Sequence, residues 1–482
     1  MLMAPVTVTA PQLLQQAREA RGVLAPGTYV RIQRERSGGI ETTSTTYVNG
    51  DDYRTSNESG GFTDAYGSYK GQAWRQNDNG LVILESRFRS EVDPNVLALE
   101  HPEDPKYRVR VTGLTDTQPS EYVLEANPPG GSDQFRYYDA KTHLLDRVVT
   151  YEKDRYRHVT EYGDYRSVFG AHVAFKVHSY DGRPENDDLT QTVSFERAAT
   201  PVSLEIPQSK PLFALEGTAP VQLPVRFTTG GIVLRVNAGT RGLDFLLDSG
   251  AAGLFIDPGV AHQLGLTAYG RNRETIGGGD VDMGRVRIPQ LSIGSLQLRD
   301  VVYTTTPHDS QVDGARIVGL MGFDLLASAV TEIDFKKQTV TVYPRAAFNP
   351  QALGLRAVPM QLDDGIPRVQ ASIENTPGAF LVDTGAFAML AYHPYVDKLP
   401  FTPLETANFR IGTVGGAMDA SVHSITDFIF GGVDFKSGEI VVPSASTFDI
   451  TDYDGIIGRN ALSVYQLYFD YANRTLWVKT NV

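Results

Sequence analysis

Two aspartates stand at the ends of apolar runs. Asp248 follows Phe245-Leu246-Leu247 and precedes Ser249-Gly250, while Asp383 follows Phe380-Leu381-Val382 and precedes Thr384-Gly385. An unpaired carboxylate carried into an apolar interior is strongly disfavoured. The cost of burying each acid asks for a reason, and two such phrases in matching surroundings ask to be read together. Two carboxyl groups in contact cannot both ionise, so they share one proton across two separated titrations. Such a pair suits hydrolysis: the ionised member activates a water and the protonated member polarises a carbonyl. Gly250 and Gly385 are read as permitting a sharp turn after each acid.

The elements that must bring the acids together show as a repeat. Pro224 and Pro359, like Asp248 and Asp383, are 135 positions apart. Gly319 and Gly455, and Asp334 and Asp470, are 136 apart, and the segments LSIGSLQL and FIFGGVDF begin 137 apart at Leu291 and Phe428. An offset this constant means a duplicated lobe, rich in strands, with short helical segments only near Pro258 and Pro394. Two such lobes place Asp248 and Asp383 at a shared pseudo-twofold axis, within hydrogen-bonding reach of each other or of one water. Asp324 with Asn460, and Asp334 with Asp470, match across the lobes and are expected to be structural hydrogen-bonding groups.

Each lobe thus carries two apolar residues, Asp, Ser or Thr, and Gly, followed by the apolar-apolar-Gly triplets Leu320-Met321-Gly322 and Ile456-Ile457-Gly458. This pattern resembles the aspartic peptidases, both the two-lobed pepsin type and the dimeric retropepsin type, over about residues 215–482. The resemblance implies an endopeptidase acting through an Asp248–Asp383 dyad, without metal or cofactor. It also implies that Ser249 and Thr384 hydrogen-bond across the lobes, with Gly250 and Gly385 supporting the dyad. The segments TIGGGDVDMG from Thr275 and TVGGAMDAS from Thr413 resemble flaps that close over an extended peptide. That assigns Ile276, Gly277, Gly278, Gly279, Val414, Gly415 and Gly416 to substrate binding. Two flaps without a tyrosine, and Ala251 and Ala386 after the glycines, are retropepsin-like features. A retropepsin-like lobe duplicated in one chain is the best description. Without a side-chain hydroxyl at 251 or 386 to favour the ionised acids, the dyad is expected to hold its proton to a higher pH than pepsin's pair, giving a mildly acidic optimum.

The remainder of the chain is read from composition and turn signals. Its 482 residues, 41% hydrophobic and 21% charged, suit a globular protein of about three domains. A net charge of −13 argues against nucleic acid, whose phosphates require a basic surface. There is no cysteine, which excludes disulfides, thiolate catalysis and cysteine-bound zinc. The scattered histidines show no metal-binding spacing, and no apolar run reaches the roughly 18 residues of a membrane span. Thr9 to Gly22 predicts a helix with Thr9 as cap, Pro11 in the first turn and Gly22 as stop. A second short helix is expected within Asp93–Asp104. Strand after strand follows, with turns at Asn49-Gly50, Asn79-Gly80 and Asp181-Gly182.

The fold is therefore expected to be mainly β. An antiparallel-sheet domain with one or two helices (α+β) spans 1–200, a linker 201–220, and two pseudo-symmetric acid-protease lobes 221–350 and 351–482. The stretch from Glu121 to Phe175 resembles the LolA-like lipoprotein-carrier fold, a curved sheet closing over helices, over about residues 10–200. Two other functions compete with the peptidase. One is a peptide- or protein-binding module on the same fold with little or no activity. The other is a lipid or lipoprotein adaptor acting through residues 1–200, which an apolar enclosed cavity there would favour. The expected partner is a protein or peptide substrate, not nucleic acid, and the expected state is a monomer because both lobes lie in one chain. A periplasmic or secreted location is expected, with the signal peptide absent from this sequence. The lobes, from near Phe213 onward, are expected to fold without the first domain.

Overall fold

The computed structural model describes residues 3–4, 6–84, 94–151, 157–200, 202–276, 279–308, 310–400, 404–413, 416–444 and 453–481. The chain divides into two compact units, one made of Met1–Arg75 with Glu85–Ile206 and the other of Gln76–Leu84 with Pro207–Val482. The fold is mainly β, with large antiparallel sheets in both units.

In the first unit, antiparallel pairing runs from Met3–Ala4 through Arg110–Thr115 and onward to Asp188–Arg197, then through Thr28–Ser37 to Phe62–Tyr69. The helix Ala10–Arg21 starts at a capping box, in which Thr9 Oγ1 accepts the Gln12 N–H and Gln12 Oε1 accepts the Thr9 N–H. It ends at Gly22, whose positive φ of 66° suits a residue without Cβ. A second helix covers Pro94–Glu100. Leu13 and Leu14 of the first helix pack on Leu124 and Tyr138 of the sheet. Register carries that sheet face onward through Leu124–Arg136, Arg136–Val148, Val148–Thr160, Thr160–Ser179 and Ser179–Asp188. Beyond these strands the same face turns polar.

The second unit holds the repeat. In the first lobe the strand Arg241–Leu247 runs parallel to Ala315–Met321, with Leu247 beside Met321, and Leu254–Ile256 pairs antiparallel to that same strand. In the second lobe Thr376–Val382 runs parallel to Gly455–Ile457, with Val382 beside Ile457, and Leu390–Ala391 pairs antiparallel to it. The lobes meet where Val330–Asp334 pairs antiparallel with Tyr465–Asp470. Glu332 lies opposite Tyr468, and these positions differ by 136, the offset of the repeat, so the pseudo-twofold axis passes between them. Buried Glu332 accepts hydrogen bonds there from the Tyr468 hydroxyl at 2.9 Å and the Tyr343 hydroxyl at 2.7 Å. One apolar core runs continuously through both lobes, from Leu234 and Phe245 to Phe380 and Phe469.

The boundaries differ from the sequence expectation in one respect. Residues 76–84 lie inside the first domain by sequence yet belong to the second unit. Leu81 and Ile83 are buried in the core of the lobes, and Phe213 of the expected linker is buried beside them. The Lys210 N–H donates to Gly80 O at 2.8 Å, and the Leu212 N–H to Ser328 Oγ at 2.8 Å. A chain beginning at Phe213 would lack these parts. The core of the lobes thus includes apolar side chains supplied from far upstream.

Candidate active site

Each acid is held by the turn that follows its strand. The Asp248 N–H donates to Met321 O at 3.0 Å and the Asp383 N–H to Ile457 O at 3.1 Å, so the two parallel strand pairs end alike. The Asp248 carboxyl hydrogen-bonds that of Asp383. Both residues keep some exposed surface, whereas Ser249 and Thr384 are fully buried. The two hydroxyls form a reciprocal lock across the lobes. Thr384 Oγ1 accepts the Ser249 N–H and Ser249 Oγ accepts the Thr384 N–H, both at 3.0 Å. Ser249 Oγ then donates to Val382 O at 2.7 Å, and Thr384 Oγ1 to Leu247 O at 3.1 Å.

The glycines have a different reason from the one the sequence suggested. Neither Gly250 nor Gly385 adopts a positive φ. Each instead faces the opposite acid, where a Cβ at Gly250 would lie 2.5 Å from Asp383 Cγ and one at Gly385 2.7 Å from Asp248 Cγ. Close approach, not turn geometry, excludes a side chain there.

The dyad is not symmetric. Asp383 Oδ1 accepts two backbone N–H groups, from Gly385 at 2.7 Å and Ala386 at 3.0 Å. Asp248 Oδ1 accepts the Gly250 N–H at 2.8 Å, but the Ala251 N–H turns to the Asp248 backbone carbonyl at 3.2 Å. So Ala386 does donate to its acid, through the backbone, although its side chain cannot. Burial, then the charge of Asp383 and the hydrogen bond to it, raise the Asp248 carboxyl well above the usual range.

Three residues that sequence reasoning missed surround the pair. The Arg459 guanidinium donates to Ala386 O at 3.3 Å and, across the lobes, to Thr228 O at 3.3 Å and Thr229 O at 3.1 Å. Among the described residues it has no carboxylate at salt-bridge distance. Burial lowers its proton affinity, and the charges of Asp383 and then Asp248 oppose that shift. Tyr471 is buried, with no partner for its hydroxyl among the described residues and its ring 5.4 Å from Phe323, and burial and then the charge of Asp248 raise its pKa. Tyr392, its ring 5.7 Å from Tyr453, lies within the field of Asp383. Arg459 was detectable in principle, because the equivalent position 136 residues earlier is Phe323.

The other assigned residues fall as follows. Ile276 and Gly279 are paired where the hairpin of Tyr269–Ile276 and Gly279–Ile293 closes, and Gly416 pairs with Thr413 where Leu404–Thr413 and Gly416–Ile425 close. Gly277, Gly278, Val414 and Gly415 lie outside the described residues. Asp334 accepts the Lys336 and Lys337 N–H groups, and Asp470 accepts from Asn473, as structural acids do. Asn460 accepts the Ala461 N–H at 2.9 Å, whereas Asp324 is bound by Asn77 and Asn79. No group of three or more metal-ligating side chains occurs among the described residues.

The aspartyl protease family matches the chain twice, over residues 232–325 and 369–461, so the likeness read from the two acid motifs holds in both lobes. Among solved structures, an aspartic proteinase from Irpex lacteus is similar at 14% identity and a TM-score of 0.37, covering 54% of this chain and 97% of that one. A LolA superfamily protein from Nitrosomonas europaea is similar at 10% identity and a TM-score of 0.30, covering 40% of this chain and 96% of that one. A putative outer membrane lipoprotein-sorting protein domain from Vibrio parahaemolyticus matches at 15% identity and a TM-score of 0.30, covering 39% and 94%. No curated protein matches the chain. No helix among the described residues is long and apolar enough to cross a membrane.

Proposed function

We propose that the second unit is an aspartic endopeptidase in which Asp248 and Asp383 share one proton and hydrolyse a peptide bond. The observation that carries this reading is a pair of hydrogen-bonded carboxyls, partly exposed, above a fully buried cross-lobe lock. A fold does not keep two acids in contact for stability, since each disfavours ionisation of the other. Asp248 holds the proton. Asp383 Oδ1, with the Gly385 and Ala386 N–H groups on it, is the oxygen assigned to take the proton from water.

The chemistry then has assigned directions. Asp383 takes a proton from water as the water oxygen bonds to the scissile carbonyl carbon, and Asp248 gives its proton to the carbonyl oxygen. The resulting gem-diol collapses when Asp383 passes its proton to the amide nitrogen. The C–N bond breaks, and a diol hydroxyl returns a proton to Asp248. The hairpins closing at Ile276–Gly279 and Thr413–Gly416 would hold an extended peptide by strand pairing. A cysteine-free chain suits an extracytoplasmic compartment, and one chain suffices because it supplies both acids.

The test is incubation of the folded full chain with a proteome-derived peptide library from pH 3 to pH 8. Because Asp248 keeps its proton above the usual carboxylate range, the singly protonated pair persists above it and is lost as pH rises through that titration. Protonation of the second acid ends activity on the acid side. The expected profile is a bell centred on the order of pH 5–6. A folded chain that cleaves nothing at any pH would overturn the reading. Arg459→Gln should move both limbs of the bell to higher pH by about one unit, since removing a cation raises the proton affinity of the pair. An unmoved profile would show that Arg459 serves the lobe contact alone.

Carriage of an acyl chain by the first unit has less support. The sheet face that begins under the first helix continues as hydrogen-bonded polar pairs, including Gln33 with Thr192, Ser44 with Asn57, Asn57 with Asp64 and Thr46 with Thr55. Burial and the neighbouring acids Asp188 and Asp64 raise the Glu35 carboxyl on this face. An apolar chain lying there would desolvate these groups without offering partners.

A further inference from the structure

The second unit contains nine residues delivered from more than a hundred positions upstream of the linker, Gln76–Leu84. This strap folds on itself. The Gly80 N–H donates to Asn77 O at 2.8 Å, and Asn77 Oδ1 accepts the Asn79 and Leu81 N–H groups at 3.1 and 3.0 Å. Its two amides converge on one acid. Asn77 Nδ2 and Asn79 Nδ2 both donate to Asp324 Oδ1 at 2.8 Å. Asn79 also brackets Val302, accepting its N–H at 2.8 Å and donating to its carbonyl at 2.9 Å. Asp78 pairs with Arg285 at 3.3 Å.

Asp324 is 1% exposed. It lies directly after the two residues that hold the loop following Asp248. The Gly322 N–H donates to Gly253 O and the Phe323 N–H to Ala251 O, both at 3.0 Å. Asp324 Oδ2 packs against Gly253, where a Cβ would lie 3.3 Å away. The second lobe keeps the backbone anchor, the Arg459 N–H donating to Ala386 O at 2.9 Å, and differs in the side chains around it. There Arg459 occupies the position of Phe323 and ties its turn to Thr228 and Thr229, and among the described residues Asn460 bonds only the Ala461 N–H through its side chain. The two lobes thus use different devices at equivalent places, and the strap is the one serving Asp248.

We propose that Asn77 and Asn79 are positioning residues for the dyad, acting through Asp324 and the Gly322–Phe323 backbone to fix the loop that carries Asp248. The proposal rests on the peptidase reading for its kinetic consequences and on geometry alone for the placement of Asp248. The groups facing Asp324 are Asp78, itself paired with Arg285, and Tyr303, buried with its hydroxyl on Met321 Sδ at 3.1 Å. Burial pushes the Asp324 carboxyl up to about 6 although the two amides oppose that shift. The groups facing the dyad are Arg459, Tyr392 and Tyr471.

The experiment compares the full chain with Asn77→Ala, Asn79→Ala and Asp324→Asn. Two readouts are taken: peptide cleavage from pH 3 to pH 8, and titration of the dyad by NMR of chain labelled at aspartate Cγ, assigned by difference from Asp248→Asn. Each alanine variant should lower kcat about tenfold with KM within about twofold, as expected for a displaced reacting group rather than weaker binding. With the loop loosened, the Gly250 N–H bond to Asp248 weakens, so the dyad titration and the upper limb should both move to higher pH. Asp324→Asn keeps a carbonyl oxygen that accepts both amides and should lower kcat less than either alanine variant does. An unchanged titration with unchanged kcat in both alanine variants would overturn the proposal, as would loss of active protein with a wild-type pH profile. A wild type that cleaves nothing defeats the peptidase reading, while a shifted titration in the same samples still supports the strap. If an alanine chain does not fold, Asn77→Leu and Asn79→Leu keep the volume while removing the donors, and the same two readouts decide.

Discussion

Asp383→Asn is expected to lower kcat about 10⁴-fold and Asp248→Asn about 10²- to 10³-fold, with KM for a peptide little changed in either. The inequality follows from the asymmetry of the site. Asp248 is the acid whose carboxyl is raised and holds the proton, so Asp383, with the Gly385 and Ala386 N–H groups on its Oδ1, is the member assigned to take the proton from water. An amide there cannot act as a base. Asp248 carries the proton and presents it to the carbonyl, and an asparagine in its place still offers an N–H to that oxygen. Part of the polarisation survives, although the transferable proton is lost. Single-turnover cleavage by each variant at the wild-type optimum reads the two losses directly. The reverse order would mean that the proton sits on Asp383. Equal, small losses would mean that the pair does not do the chemistry.

The sequence disclosed the parts of this site that are written twice. The acids, the hydroxyls beside them and the apolar-apolar-Gly triplets occur in both lobes at one offset, and repetition distinguished them from chance. Ser249 and Thr384 form the cross-lobe bonds that the family resemblance implied. What was not legible is written once. Arg459 breaks the repeat against Phe323, and that departure is visible in the sequence, but nothing local says that its guanidinium reaches Thr228 and Thr229 in the other lobe. Asn79-Gly80 is a turn signal and does form a turn, with Gly80 at a φ of 83°. The turn signal could not say which unit the turn joins. Its apolar neighbours Leu81 and Ile83 look like the inward residues of one more strand, and only the tertiary fold assigns them to the lobes. The close approach of Gly250 and Gly385 to the opposite acids was not legible, because a residue's approach to a distant carboxyl leaves no trace in its own neighbourhood.

Thr384→Val should destabilise the second unit by about 4 kcal/mol and lower kcat about 10²-fold in whatever folded protein remains. Valine keeps the branched shape of threonine, so packing at this fully buried position changes little. What disappears is the acceptor for the Ser249 N–H and the donor to Leu247 O, at 3.0 and 3.1 Å. Both orphaned groups are backbone, both sit beneath the dyad, and water cannot replace the lost partner without opening the lobe contact. Each buried unsatisfied group costs about 1–3 kcal/mol, and two account for the stability figure. The activity figure has a separate origin. Ser249 and Thr384 adjoin the two acids in sequence, so slack in the lock is passed to the carboxyl separation, and a displacement of about an ångström costs a rate factor of that order. Thr384→Ser retains the hydroxyl and should stay within about 1 kcal/mol of the wild type, as surviving partners require. Denaturant unfolding of both variants, with kcat measured on the soluble fraction, separates the two effects. A valine variant as stable as the serine one would show that the reciprocal bonds are not what joins the lobes.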